Sequence, residues 1–207
     1  MIPLFVDCSG RRVVIFGGGK VAERKARFFR GEADVTVVSR SFGDKFTDIP
    51  VERIAMDVHK ALDDSLEELV GGAFLVVGAL SDPEQNNRIG AICRGRGILF
   101  NNADGEAGDV TIPSVTRGKN YTLAISTRGN SPAVSRFIRE RLEAEYPALD
   151  AMIGLQADVR KRLKACEPSQ QERNVILRDI LDDPEAWRMA GEDPAGARHY
   201  IRERYGI

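Results

Sequence analysis

The stretch Val13-Val14-Ile15-Phe16-Gly17-Gly18-Gly19-Lys20-Val21-Ala22 decides how this chain folds. Four apolar residues run directly into three glycines, and a segment typical of helix follows at residues 20–30. A strand, a glycine turn and a helix, in that order, begin many dinucleotide-binding sheets. In such a unit Gly17 allows the tight turn, Gly19 lets the backbone approach a pyrophosphate, and Ala22 lets the helix pack close to the strand.

The start of this helix is a candidate anion site. The first N–H groups of a helix have no partner within it, and the helix dipole favours negative charge there. We therefore predict that a dinucleotide binds to the glycine turn and the first helical residues, namely Gly17, Gly18, Gly19, Lys20, Val21 and Ala22. The alternative is a turn between a strand and a helix that binds nothing.

Further pairs of strands and helices follow the glycine turn. Strands are predicted at residues 12–16, 34–38, 51–56, 73–78 and 97–100, and helices at 20–30, 61–70 and 83–94. The run at 73–78 is apolar almost throughout, which is typical of a parallel strand buried on both faces. The chain is therefore predicted to be α/β, with a Rossmann-type parallel sheet. Residues 3–7 are expected to form an edge strand or a lead-in that covers the sheet.

The character of the sequence changes after residue 102. Two strand-like segments, 110–116 and 121–127, are predicted to pair antiparallel and to leave the nucleotide sheet. Helices are then predicted at 133–146, 149–166, 169–181, 184–190 and 194–205, with Ser131 as the N-cap of the first and Pro132 at its first position. These patterns predict three parts: a nucleotide-binding domain (1–102), a small α+β segment (103–147) and a helical domain (148–207).

Composition excludes several classes of protein. The 30 Lys and Arg residues balance 31 Asp and Glu residues, so no basic surface for nucleic acid is predicted. No apolar run is long enough to span a membrane, and no signal peptide is evident. Three widely spaced cysteines indicate reduced thiols and a cytoplasmic protein. With only two histidines, a histidine-rich metal site is excluded, and no bound metal is predicted.

The end of the second strand bears on the choice of coenzyme. NAD-binding sheets commonly place an acidic residue there, about 20 residues after the glycines, to bind the ribose. Here the position is Ser39, followed by Arg40. A hydroxyl beside an arginine suits a 2′-phosphate and favours NADP, unless Arg40 is only a solvated loop residue.

Five motifs occur in an order that is similar to one family. They are residues 17–26 (GGGKVAERKA), 79–86 (ALSDPEQN), 101–104 (NNAD), 112–114 (IPS) and 124–133 (AISTRGNSPA). The chain resembles the precorrin-2 dehydrogenase family, which also occurs as the N-terminal module of siroheme synthase. The resemblance covers residues 3–146 well and the helical tail loosely. The loop before Ile112 departs from the family, because it lacks an aromatic residue often found there and is about one residue shorter.

The resemblance implies a concrete activity. The family oxidises precorrin-2 to sirohydrochlorin with NAD, and some members also insert Fe²⁺ to give sirohaem. Its members are homodimers whose central strands and helices pair across a two-fold axis, which makes residues 103–147 a dimerisation and substrate segment. The aspartate of its Asn-x-x-Asp motif takes part in the chemistry and corresponds to Asp104. Following the family, we expect NAD, with NADP left open.

Further site residues follow from position and chemistry. Asp104 comes just after the fifth strand, where it can accept a proton from the substrate, and Asn101 can bind the nicotinamide ribose. The loop before the predicted helix at 133 suits the carboxylates of precorrin-2, through Ser126, Thr127, Arg128, Asn130 and Ser131. The structural alternatives are a loop aspartate that orders its own turn, an asparagine that orders loops, and a capped helix beside an exposed arginine.

Two other functions remain open at this point, because a fold does not determine a function. The first is a redox-sensing module that binds NAD(H) without turnover. The second is a carrier that holds a tetrapyrrole without oxidising it.

Overall fold

The computed structural model describes residues 1–166 and 169–206. The chain forms two compact units, residues 1–112 and 113–207, and each is considered separately below. Residues 167, 168 and 207, which belong to the predicted helical domain, lie outside the described residues. The finer division at residues 102 and 147 stays a prediction.

The first unit is built on a parallel five-stranded sheet with the order β3-β2-β1-β4-β5. The strands are β1 (Arg12–Phe16), β2 (Asp34–Ser39), β3 (Glu52–Ala55), β4 (Leu75–Gly78) and β5 (Leu99–Asn102). The helices are α1 (Lys20–Phe29), α2 (Asp63–Val70) and α3 (Pro83–Gly95), with a short 3₁₀ turn at Asp44–Phe46. The predicted Rossmann-type sheet is therefore confirmed.

The central strand β1 explains why this sequence folds as a layered sheet. Its side chains alternate between two cores, as the two-residue period of a strand requires. Val13 and Ile15 belong to the core beneath α1, and Val14 and Phe16 belong to the core on the opposite face. All four are fully buried, which accounts for the unbroken apolar run before the glycines.

One strand prediction in the first unit is wrong, and the strand predicted at 110–116 begins only at Ser114. Residues 3–7 form no strand and cover nothing, since Leu4 and Phe5 are 74% and 75% exposed. The segment from Val110 to Ile112 is also not a strand. Val110 makes one hydrogen bond to Phe100 O, at 3.1 Å, and its side chain packs with Ile112 against the core of the first unit. Apolar residues here fill a core without a neighbouring strand to pair with.

The second unit begins with a separate antiparallel pair, β6 (Ser114–Arg117) and β7 (Thr122–Ile125), which confirms that this pair leaves the nucleotide sheet. Five helices follow: α4 (Pro132–Glu145), α5 (Leu149–Ala165), α6 (Gln170–Leu181), α7 (Pro184–Glu192) and α8 (Pro194–Tyr205). Ser131 accepts a hydrogen bond from Val134 N and Pro132 is the first helical residue, as predicted. Helices α5 to α8 enclose a core that contains Met152, Leu163, Ile180 and Ile201.

The described residues show neither a membrane-spanning helix nor a reactive buried thiol. No helix in 1–166 or 169–206 is both long and apolar enough to cross a bilayer. The three cysteines are free, and Cys93 lies in the core of the first unit. Burial, together with the charge of Asp109, raises the pKa of the Cys93 thiol to about 12, so this thiol stays protonated at neutral pH.

A buried carboxylate joins two helices of the second unit. Asp183 is 8% exposed and accepts hydrogen bonds from Tyr200 Oη at 2.9 Å and from Arg204 Nη1 at 2.7 Å. Its second oxygen accepts from Glu185 N at 3.0 Å and so caps α7. This one side chain therefore fixes α7 and α8 relative to each other at the end of α6.

We expect Asp183→Ala to destabilise the second unit by about 2–4 kcal/mol, since it removes a cap and leaves two donors without their acceptor. Urea unfolding, monitored by the fluorescence emission of Trp187, measures the free energy of unfolding of this unit, because Trp187 is the one tryptophan of the chain and packs against the core of α5 to α8. The control is Asp182→Ala, because the exposed Asp182 side chain pairs with Arg178 on the surface. Equal unfolding midpoints for the two variants would contradict the role given to Asp183.

Candidate functional site

A cleft of about 770 Å³ opens at the carboxyl edge of the sheet. Parallel strands bring the loops after their carboxyl ends together, and ligands of open α/β sheets bind there. Of the predicted cofactor and catalytic residues, those that line the cleft are Gly17, Gly18, Gly19, Lys20, Val21, Ser39, Arg40 and Asp104. The cleft is also lined by Ala79, Leu80, Ser81 and Ala103, which belong to two of the family motifs, and by residues that were not predicted as site residues, namely Ser41, Phe42, Gly43, Met56, Asp57, Val58 and His59.

Two of the three glycines are required by contacts within the protein. Gly17 has φ +131°, and a Cβ added to it would lie 2.4 Å from the carbonyl oxygen of Ala79. A Cβ added to Gly18 would lie 1.9 Å from the carbonyl oxygen of Ser41. Real Cβ atoms do not approach that closely, so the turn can form only with glycine at both positions.

Gly19 differs from the other two glycines, because a Cβ there would meet no atom of the described residues within 4 Å. It is the N-cap of α1 and has an ordinary φ of −91°. The space beside it lies over the first N–H groups of the helix, which is the place where a pyrophosphate binds. Ala22 is fully buried under the turn and does not line the cleft, so its part in the site is the predicted close packing of helix and strand.

The two kinds of glycine predict different effects of an added methyl group. Gly18→Ala is expected to destabilise the first unit by about 2 kcal/mol or more, because the Ser41 loop must move. Gly19→Ala is expected to leave the melting temperature unchanged and to weaken NADH binding about tenfold or more, because the methyl group occupies ligand space. Thermal unfolding and an NADH titration of both variants measure the difference, and a Gly19→Ala protein that binds NADH normally would contradict this account.

The end of β2 is held by its own turn. The Ser39 hydroxyl donates to Ser41 O at 2.7 Å, and Ser39 is buried. Arg40 extends into the cleft with its side chain 79% exposed, and its Nη1 lies 4.0 Å from Oδ2 of Asp57. Arg40 is thus available to a ligand, whereas the Ser39 hydroxyl is largely committed to the protein.

The backbone of Asp104 is fixed, while its carboxylate is exposed in the cleft. Asn86 Nδ2 donates to Asp104 O at 3.1 Å, and Asp104 N donates to Asn102 Oδ1 at 3.2 Å. In 1–166 and 169–206, the side chain of Asp104 makes no hydrogen bond. An anchored loop with a free carboxylate is suited to proton transfer. Asn86 is fully buried and therefore has a structural role.

Asn101 does not reach the cleft. It is 5% exposed, and its Nδ2 donates to Val110 O at 2.7 Å, which holds the segment after the polar loop against the sheet. Its Oδ1 is buried without a partner among the described residues. This geometry supports the alternative in which Asn101 orders loops.

The predicted substrate loop lies in the second unit and is tightly folded. The Thr127 hydroxyl donates to Ser131 O at 2.9 Å and accepts from Ser131 N at 3.1 Å, and Ser126 Oγ accepts from Arg128 N at 3.1 Å. Arg128 has φ +54°, a left-handed conformation that is unusual for this residue type. Asn130 and the Arg128 side chain are exposed, whereas the hydroxyls of Ser126, Thr127 and Ser131 already serve the loop or the helix cap.

A glycine turn that leads into α1, at the carboxyl edge of a parallel sheet, defines a dinucleotide-binding protein of the Rossmann class. A family model described as "Putative NAD(P)-binding" matches residues 4–114. A precorrin-2 dehydrogenase of Methanosarcina barkeri is 40% identical in an alignment of 206 positions that covers 96% of this chain and 92% of that protein. The chain belongs to the precorrin-2 dehydrogenase family.

Other relatives are longer proteins. Siroheme synthase 1 of Klebsiella pneumoniae is 34% identical over 148 residues, and the match covers 70% of this chain but 31% of that protein. The siroheme synthase of Azotobacter vinelandii is 28% identical over 201 residues, which are 43% of its length.

The solved structure of SirC, a precorrin-2 dehydrogenase, superposes on 99% of this chain with a TM-score of 0.70 at 24% identity, which shows the shared fold.

Proposed function

We propose that this chain oxidises precorrin-2 to sirohydrochlorin, with NAD⁺ as the hydride acceptor. The observation that carries the proposal is a single cleft in the first unit that holds both a dinucleotide-type glycine turn and the free carboxylate of Asp104. Membership of the precorrin-2 dehydrogenase family supplies the identity of the substrate.

The residues divide the work between binding and proton transfer. The N–H groups at the start of α1 and the open space at Gly19 bind the pyrophosphate, while Lys20, Val21 and Arg40 line the path of the dinucleotide. The coenzyme, when bound, would accept the hydride. Asp104 accepts the proton that leaves as conjugation extends, because its carboxylate is exposed in the same cleft.

We further propose that the loop from Ser126 to Ser131 binds carboxylates of the tetrapyrrole. The Arg128 guanidinium and the Asn130 amide are its exposed polar groups, and charge-assisted hydrogen bonds from arginine to carboxylates are strong. Thr127 and Ser131 act by holding the loop in shape, through the two hydrogen bonds between them.

An anaerobic assay tests the central proposal. Purified protein is mixed with precorrin-2 and either NAD⁺ or NADP⁺, and the visible spectrum is followed as sirohydrochlorin forms. Turnover with NAD⁺ is expected. Binding of NADH without turnover would favour the sensing module instead, and tight binding of sirohydrochlorin without any need for a dinucleotide would favour the carrier.

Asp104→Asn is expected to lower kcat about 100-fold or more, because an amide cannot accept the proton. NADH affinity is expected to stay unchanged, since the substitution keeps the backbone bonds of the loop. The matched control is Glu106→Gln, an exposed acid of the same loop that does not line the cleft. Full activity of Asp104→Asn would show that Asp104 is not the proton acceptor.

Insertion of Fe²⁺ into sirohydrochlorin is a second proposed activity, favoured by the similarity to proteins named siroheme synthase. Within 1–166 and 169–206, no three His, Cys, Asp or Glu side chains come together as a metal site. Asp104, whose carboxylate is exposed in the cleft, is the group we propose to remove pyrrole protons. Adding Fe²⁺ to the completed oxidation reaction tests this: the sirohaem spectrum should appear faster with enzyme than without it.

We also propose a homodimer that works in the cytoplasm, where the three free cysteines stay reduced. Helix α4 supports the dimer, because Val134, Phe137 and Ile138 form an exposed apolar patch at helical spacing.

Phe137→Glu is expected to weaken self-association about tenfold or more, because Phe137 is 57% exposed at the centre of the α4 patch. Analytical ultracentrifugation measures the change. Val175→Glu is the control, since it places the same charge on a similarly exposed apolar position of α6. A wild-type monomer, or equal association of both variants, would contradict an interface through α4.

A further inference from the structure

The end of β2 offers no acidic side chain to the adenosine ribose of a dinucleotide. Sheets of this class commonly use an Asp or Glu at that position. Ser39 occupies it, and its hydroxyl is buried and donates to Ser41 O at 2.7 Å. The ribose therefore needs an acceptor from elsewhere in the cleft.

Asp57 brings a carboxylate to this corner from the neighbouring strand. β3 pairs with β2 in parallel, with Ala55 opposite Ser39. Met56 N then donates to Ser39 O at 3.0 Å, which holds the chain after β3 against the end of β2. Asp57 follows directly and lines the cleft.

The two oxygens of Asp57 have different surroundings. Oδ1 accepts from His59 N at 3.2 Å, which anchors the side chain in its turn. Oδ2 lies 4.0 Å from Nη1 of Arg40, and the Asp57 side chain is 23% exposed. The His59 ring is directed to another acid, with its Nδ1 3.6 Å from Asp82 Oδ2. Asp57 thus presents one oxygen on an anchored, partly buried side chain, which suits a ribose hydroxyl.

We propose that Asp57 is the carboxylate that binds the adenosine ribose and selects NAD over NADP. The inference rests on the proposed function, because it assumes that the cleft takes a dinucleotide. The negative charge of Asp57 repels a 2′-phosphate. Because Asp57 lies near Arg40, it also offsets the positive charge that would otherwise attract that phosphate. Arg40, which follows β2, is then compatible with NAD, because the carboxylate of Asp57, from the turn after β3, opposes its charge.

Separate titrations with NADH and NADPH, followed by nicotinamide fluorescence, test the proposal without turnover. The wild type is expected to bind NADH more tightly. Asp57→Asn keeps an oxygen that can accept from His59 N. It is expected to weaken NADH binding about tenfold or more and to strengthen NADPH binding. In the double variant Asp57→Asn/Arg40→Gln the gain in NADPH affinity should disappear, because Arg40 is the group that binds the phosphate.

Asp64→Asn is the control for net charge, since Asp64 is exposed on α2 and does not line the cleft. Asp57→Ser replaces Asp57→Asn if the latter melts at a lower temperature. If Asp57→Asn and Asp57→Ser still bind NADH, and their ratio of NADPH to NADH affinity stays within about threefold of the wild-type ratio, the role of Asp57 is overturned while the proposed function stands. A wild type that prefers NADPH would overturn it as well, and a wild type that binds neither dinucleotide would overturn the proposed function with it.

Discussion

The close approach of backbone at the glycine turn is the constraint on which the first unit depends. Gly17 N donates to Val38 O at 2.8 Å, and Ala79 N donates to Phe16 O at 2.8 Å, so the end of β1 is bonded to both neighbouring strands. Gly43 N donates to Gly18 O at 3.0 Å and brings the loop after β2 over the turn. These bonds leave no room for side chains at the first two glycines, and the floor of the cleft is therefore made of backbone whose position the sheet itself determines.

Much of the fold was predictable because the determining interactions are local or periodic. The five parallel strands follow from apolar runs buried on two faces, and the start of α4 follows from a serine cap and a proline in the first turn. The two failures, residues 3–7 and 110–112, are also apolar. A strand requires a partner edge as well as suitable residues. The sequence around Val110 does not show that its side chain fills a core while its backbone bonds to β5 only through Phe100 O and the side chain of Asn101.

The candidate site was predictable where it follows the glycine motif and unpredictable where it depends on strand order. Residues at the ends of β1, β2 and β5 were expected, since they lie at fixed distances from recognisable motifs. Asp57 and His59 were not, because their approach to the cleft depends on β3 pairing beside β2. Asn101 and Ser39 show the reverse case: both have suitable chemistry at suitable positions, but Asn101 Nδ2 donates to Val110 O and the Ser39 hydroxyl donates to Ser41 O.

Two aspartates show how the protein separates structural from chemical use of the same group. Asp183 is buried with both oxygens accepting hydrogen bonds, so its charge is fully used in holding helices together. Asp104 is held through its peptide groups instead, by Asn86 and Asn102, and its carboxylate remains exposed in the cleft. A group that must accept a proton from a large substrate needs a fixed position and an uncommitted oxygen, and anchoring the backbone provides both. This arrangement also explains why asparagines cluster beneath the loop, since an amide can donate to one peptide and accept from another without adding a charge that would compete with the carboxylate.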